Sequence, residues 1–171
     1  NKKATKNSPA RPASPETIDI GLDAKTRGQA VKLLSTILAD QQVLYAKTRN
    51  FHWNLTGNRF HTLHAFFETQ YEALAEAIDQ TAERIRMLGA ASPGSMKEFL
   101  ALATLQEVSG VLISGDQAIA ALRDDHEAAA RGLRKAVDAL DEAGDAGSAD
   151  FLTERLQSHE QAAWMLRSFL D

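Results

Sequence analysis

Apolar residues recur at three- and four-residue intervals through most of this chain, and no stretch of any length alternates apolar with polar. That pattern predicts helices and no sheet. A first long helix is predicted over residues 26–54, where Val31, Leu34, Leu38, Tyr45 and His52 fall on one stripe. Gly57 and Asn58 break it. A second helix follows over 59–88 and stops at Gly89, a residue type that ends helices. Ser92, Pro93 and Gly94 open a longer connection in which 97–103 reads as a short helix. Ser114 followed by Gln117 forms the pattern of a capping box for a third long helix over 116–143. A turn-rich acidic link over 141–147 leads to Ser148, the expected cap of a fourth helix over 149–170. Four long helices with one long middle connection predict an all-α four-helix bundle, with a crossover carrying a short helix between helices two and three.

Before residue 17 the pattern vanishes. Residues 1–16 hold three of the four prolines and no large apolar side chain, so they cannot offset the entropy of ordering. The expected division is a disordered basic tail over 1–16 and one bundle domain over 17–171. Residues 1–15 hold Lys2, Lys3, Lys6 and Arg11 and no acid, a balance of +4, against a net charge of −4 for the whole chain, so the remainder carries −8. A basic arm on an acidic body directs any polyanion contact to the arm. The chain has no cysteine, which removes disulfides and thiolate metal sites. No apolar run is long enough for a membrane span, and no apolar stretch follows the first lysines as in a secretory signal, so a cytoplasmic location is expected.

The candidate chemistry lies on the second helix. Glu68, Asp79 and Glu83 sit about 40°, 60° and 100° around the axis from His64, so all four share a face. His52 lies five residues before the turn and His64 six after it, at similar depth. Along the axis His64 and Asp79 are about 22 Å apart, whereas metal–ligand bonds are roughly 2 Å. One ion cannot span them. A second copy of the helix packed antiparallel about a two-fold axis would bring His64 and Glu68 of one subunit to Asp79 and Glu83 of the other. Mixed imidazole and carboxylate donors with open positions suit iron. No Glu-x-x-His is present, which disfavours a di-iron centre inside one subunit's bundle, and the absence of His-Glu-x-x-His argues against zinc peptidase chemistry. The competing reading is plain: three solvated helix acids, Glu83 paired with Arg84 or Arg86, and a core histidine.

At these residues the chain resembles the Dps proteins, the miniferritins named as DNA-binding proteins from starved cells. The stretch NFHWNLTGNRFHTLHAFFETQYEALAEAIDQTAERIRMLG (50–89) carries His-Trp-Asn, a glycine turn, Phe-x-x-x-His-x-x-x-acid and Asp-x-x-x-Glu-Arg. The resemblance extends over roughly 26–171, including the closing AAWMLRSFL. It implies a ferritin-like bundle assembled as a hollow homo-dodecamer that oxidises Fe(II), with hydrogen peroxide as the usual oxidant, and stores ferric mineral. The implied site is His52, His64 and Glu68 of one subunit with Asp79 and Glu83 of its mate. Many members carry aspartate where this chain has Glu68.

Trp53 is then expected beside the iron, where its indole could donate an electron and quench radicals; packing at a helix end is the alternative. Tyr45 reads as core. Asp141, Asp145 and Asp150 match the family's pore aspartates, and three such links around a three-fold axis would attract Fe²⁺; capping and loop solubility compete. His61, His126 and His159 read as surface or packing residues, and Trp164 and Met165 as core or interface. Twelve basic arms would bind DNA without sequence preference, placing the protein at the nucleoid and protecting DNA from oxidation. Two other functions stay open: a non-catalytic DNA-condensing nucleoid protein, and a helical interaction module without metal.

Overall fold

The computed structural model describes residues 18–110 and 114–170. The tail lysines, Arg11 and the tail's boundary lie outside the described residues. The elements are α1 (Ala24–Asn54), α2 (Phe60–Met87), α3 (Met96–Leu102), α4 (Gly115–Glu142) and α5 (Ala146–Arg167), all helical.

Most of the helix starts, and the ends of α2 and α4, have an identifiable chemical cause. Asp23 caps α1 by accepting from the Thr26 N–H at 2.7 Å. Ser114 and Gln117 form both halves of the capping box expected for α4, and Ser95 with Glu98 forms another for α3. At the end of α2, Gly89 takes φ +90°, the Gly89 N–H donates to the Arg86 carbonyl and the Ala90 N–H to the Ile85 carbonyl. This double closure needs a left-handed residue that glycine supplies at no steric cost. Gly144 ends α4 in the same way.

The second half of the chain departs from expectation at one cap. Asp145, not Ser148, starts α5: its Oδ1 accepts from the Ser148 N–H at 3.0 Å. The helix therefore begins three residues earlier than expected, and the link from Glu142 to Ala146 is short. Asp145 is 2% exposed, and its Oδ1 lies 3.3 Å from Arg84 Nη2 of α2. Arg84 also donates to the Ser148 hydroxyl. These bonds seat the α4–α5 turn on the end of α2.

At the other end, a Cβ on Gly115 would come within 3.0 Å of Leu63, so α4 starts against the α1–α2 turn. The connection from 88 to 114 must then run the length of the bundle. Asp40 of α1 holds it there, its Oδ1 accepting from the backbone N–H groups of Thr104 and Leu105 and its Oδ2 from the Thr104 hydroxyl. Asn50 donates to the Val108 carbonyl farther along.

The core has two apolar clusters. One gathers Leu34, Leu38, Ile85, Leu133, Leu140 and Leu152 near the α4–α5 turn. The other gathers Leu44, Phe51, Leu63, Phe67, Ile119 and Leu122 near the α1–α2 turn. Between them lie buried polar groups: Gln41, the ion pair of Lys47 with Asp125 at 2.6 Å, His126, Arg155 and His159. Burial pushes the Asp125 carboxyl up against the opposing pull of Lys47.

Asp145→Ala should cost about 2–4 kcal/mol, because it removes a cap and strands a half-buried arginine. The urea midpoint should fall accordingly, and Asp145→Asn, which keeps the cap acceptor, should recover part of it.

Candidate metal centre

The α1–α2 turn brings His52 and His64 face to face. Their rings stack with centroids 3.7 Å apart and planes inclined by 18°. His52 Nδ1 lies 2.8 Å from the His64 backbone oxygen, and His64 Nδ1 lies 2.9 Å from the His52 backbone oxygen. A carbonyl oxygen only accepts, so each Nδ1 carries the proton and donates it. In the neutral ring each Nε2 then keeps its lone pair, the state a metal requires. Phe60 stacks beyond His64 at 4.9 Å, and the edge of Tyr71 meets His52 at 5.2 Å. His52 is 6% exposed, while His64 is partly open.

Glu68, Asp79 and Glu83 are all exposed on α2. Among the described residues none of the three enters an ion pair. Arg84 is engaged by Asp145 and Ser148, and Arg86 donates to the Ala90 carbonyl, so the pairing weighed for Glu83 does not form. The Tyr71 hydroxyl donates to Glu68 Oε1 at 3.3 Å. Within one chain, among the described residues, no three histidine or acidic side chains converge tightly enough to hold an ion. The chain thus presents the histidines prepared at one end of α2 and unpaired carboxylates along it.

Trp53 is 61% exposed, with the Arg49 guanidinium 4.7 Å from its ring. Arg49 also lies over Tyr45 and Tyr71 and donates to the Tyr45 hydroxyl at 2.9 Å. Tyr45 is half-buried at the edge of the core rather than within it. His61 is exposed, as expected.

Three expectations change. Asp145 is spent on a cap and a buried ion pair, so it is not an open pore acid in this chain; Asp141 and Asp150 are exposed. Trp164 is 59% exposed and Met165 also faces outward, because Ala162, Ala163 and Leu166 take the inward positions of α5. That removes the core reading and leaves the interface reading. His126 and His159 pack inside, but as a polar pair: their Nδ1 atoms are 2.9 Å apart, so one donates to the other. Burial, then the neighbouring His159, holds His126 well below the ordinary histidine range. Burial, then the Arg155 charge, brings His159 down to about 4. A signal existed: His126 sits four residues after Leu122, and His159 three after Leu156, at positions where each helix otherwise places core residues.

The model of the ferritin-like domain matches residues 31–171. The low temperature-induced protein all0458 of Nostoc sp. is 46% identical over 155 residues, covering 90% of this chain and 87% of that one. DNA protection during starvation protein 2 of Bacillus anthracis is 35% identical over 144 residues, covering 84% and 97%. Among solved structures, the Dps protein of Vibrio cholerae O1, described as a member of the ferritin-like diiron-carboxylate superfamily, superposes with a TM-score of 0.86 at 33% identity, covering 93% of this chain and 99% of that one.

The His126–His159 pair makes stability depend on pH. Both folded values lie below the unfolded one, so folding favours the neutral rings. Their contribution is complete above about pH 6.5 and falls as pH drops toward the folded value near 4. The expected loss is on the order of 3 kcal/mol for His159. Urea midpoints between pH 7 and 4 should fall, and the fall should be shallower in His159→Gln.

Proposed function

We propose that this chain, which belongs to the ferritin-like family and within it to the Dps proteins, is a ferroxidase that oxidises Fe(II) and stores ferric mineral in a hollow homo-oligomer, a dodecamer. The reciprocal bonding of His52 and His64 carries the reading. It leaves two Nε2 lone pairs open at the start of a helix on which Glu68, Asp79 and Glu83 are exposed and, among the described residues, outside any ion pair. An antiparallel second copy of α2 supplies those acids across the two-fold seam.

Iron here is substrate. The carboxylates neutralise Fe²⁺ and favour the ferric state, and the imidazoles set affinity. Hydrogen peroxide takes one electron from each of two Fe(II) ions and two protons, giving two waters. No hydroxyl radical is released on this route. Trp53, beside the site and in contact with Arg49, supplies an electron when only one Fe(II) is in place. Ferric iron then hydrolyses to oxyhydroxide and releases protons.

Asp141 and Asp150, both exposed around the α4–α5 turn, are assigned to the iron-entry pore. Residues 1–16 act as the basic arm and 17–171 as the bundle domain. Lys2, Lys3, Lys6 and Arg11 hold DNA phosphates without reading sequence, which keeps the protein at the nucleoid in the cytoplasm and protects DNA there. Among the described residues no helix is long and apolar enough to cross a membrane.

His52→Ala combined with Asp79→Ala should leave the assembly mass unchanged and abolish rapid Fe(II) oxidation by peroxide, followed by absorbance of the ferric product. Wild-type rates in that variant would remove the assigned site. Deleting residues 1–15 should abolish DNA binding in a gel-shift assay at low salt and leave iron oxidation intact; retained binding would take the DNA role from the arm.

A further inference from the structure

The polar layer at mid-bundle lies between two cavities. One, about 170 Å³, opens in the groove between α1 and α4 and is walled by Leu33, Ile37 and Leu133 with Gln41 and His159. The other, about 90 Å³, opens between α2 and α5 and is lined by Gln70, Leu74, His126, Arg155 and His159. The two grooves are on opposite sides of the bundle, and His159 reaches both.

Orphaned polar atoms mark each side. Gln41 is 2% exposed and faces the first cavity, yet neither its Nε2 nor its Oε1 has a partner. Arg155 is 8% exposed and faces the second, and its Nε has no partner, although its Nη1 donates to Gln80 at 2.6 Å. Buried polar groups are nearly always hydrogen-bonded, to water if not to protein. A water needs roughly 10–15 Å³ of such space, so both cavities hold several. The shared Nδ1–Nδ1 hydrogen bond leaves both Nε2 atoms on the far sides of the rings.

We propose that His126 and His159 form a proton relay through the bundle, joining water in the α2/α5 cavity to water in the α1/α4 cavity. A proton binds Nε2 of one ring, the shared proton crosses from Nδ1 to Nδ1, and Nε2 of the second ring releases a proton to water on the far side. One proton enters and one leaves, so the pair is neutral before and after. The transfer leaves each ring in its other tautomer and reverses the shared hydrogen bond, so a further proton passes the same way only after both rings reorient in the room the cavities give.

The charges around the pair keep an excess proton transient. From α5, Arg155 repels it. From α1 and α4, Lys47 and Asp125 neutralise one another. Lys32 and Asp40 stand at the wall of the first cavity. α2 contributes Gln70, Ala73, Leu74 and Ala77 to the second cavity, none of which titrates. The low proton affinity of both rings fits a relay that passes charge without storing it.

The relay's use rests on the proposed iron chemistry. The second cavity lies along α2 between Glu68 and Asp79, on the helix where ferric hydrolysis would release protons. The relay would carry them to the opposite α1/α4 face.

The test needs neither iron nor an assembled shell. In the full chain labelled with ¹⁵N-histidine, the exchange of the pair's ring N–H with water is measured by NMR at neutral pH. A relay predicts exchange within about a second despite burial, whereas a sealed structural pair would hold its proton for minutes to hours, like core amides. Filling both cavities, with Ala129→Leu and Ala73→Leu together, should slow exchange at least about tenfold in a variant that still melts cooperatively. A wild-type shared proton that persists for minutes overturns the relay, as does unchanged exchange in the folded double variant. A protein that exchanges fast but fails to oxidise Fe(II) keeps the relay and loses the proposed function.

Discussion

Two imidazoles that each bond to the other's main chain organise one end of this bundle. The His52 and His64 bonds tie the last turn of α1 to the first turns of α2. Each bond contributes only about 0.5–1.5 kcal/mol net. Their larger effect is orientation. A free histidine samples two tautomers and several rotamers, whereas these rings are fixed by carbonyls that only accept and by their stacked faces. The turn at Gly57 thus sets the distance between the helices and the chemical state of both rings. Neither could be changed without the other.

The remaining geometry extends from that hairpin. α4 starts on the turn that the histidines close, and α5 ends beside α2, where Arg59 donates to the Phe169 carbonyl. At the opposite end Arg84 and Asp145 make the complementary join. The two ends differ in kind. The histidine end leaves imidazole nitrogens open, while the other end uses Arg84 and Asp145 in pairing and capping and leaves Glu83 exposed beside them.

Much of this was legible in the sequence because helix ends follow local rules. Ser114 with Gln117 and the glycine at 89 act through bonds three to five residues long, so their pattern suffices. The face shared by His64, Glu68, Asp79 and Glu83 follows from helical geometry alone. Asp145 was misread because Ser148 is equally able to cap, and the choice is made by Arg84, sixty-one residues away. The His126–His159 bond was missed for the same reason: a histidine on an apolar stripe looks alike whether it is alone or partnered, and the partner lies thirty-three residues along the chain. For Trp164 the sequence leaves core and interface equally open, because apolar spacing marks a stripe without saying which edge of it meets solvent.

The two apolar clusters, parted by a polar layer, also divide the molecule mechanically. Each half has its own packed interior and its own helix-to-helix fastening, so the boundary between them is where cooperativity is weakest. Transient opening of the histidine end would leave the Arg84 end folded, with amides around Leu140 and Leu152 outlasting those around Phe51 and Leu63. A chain built this way can open at its histidine end while the opposite end stays shut.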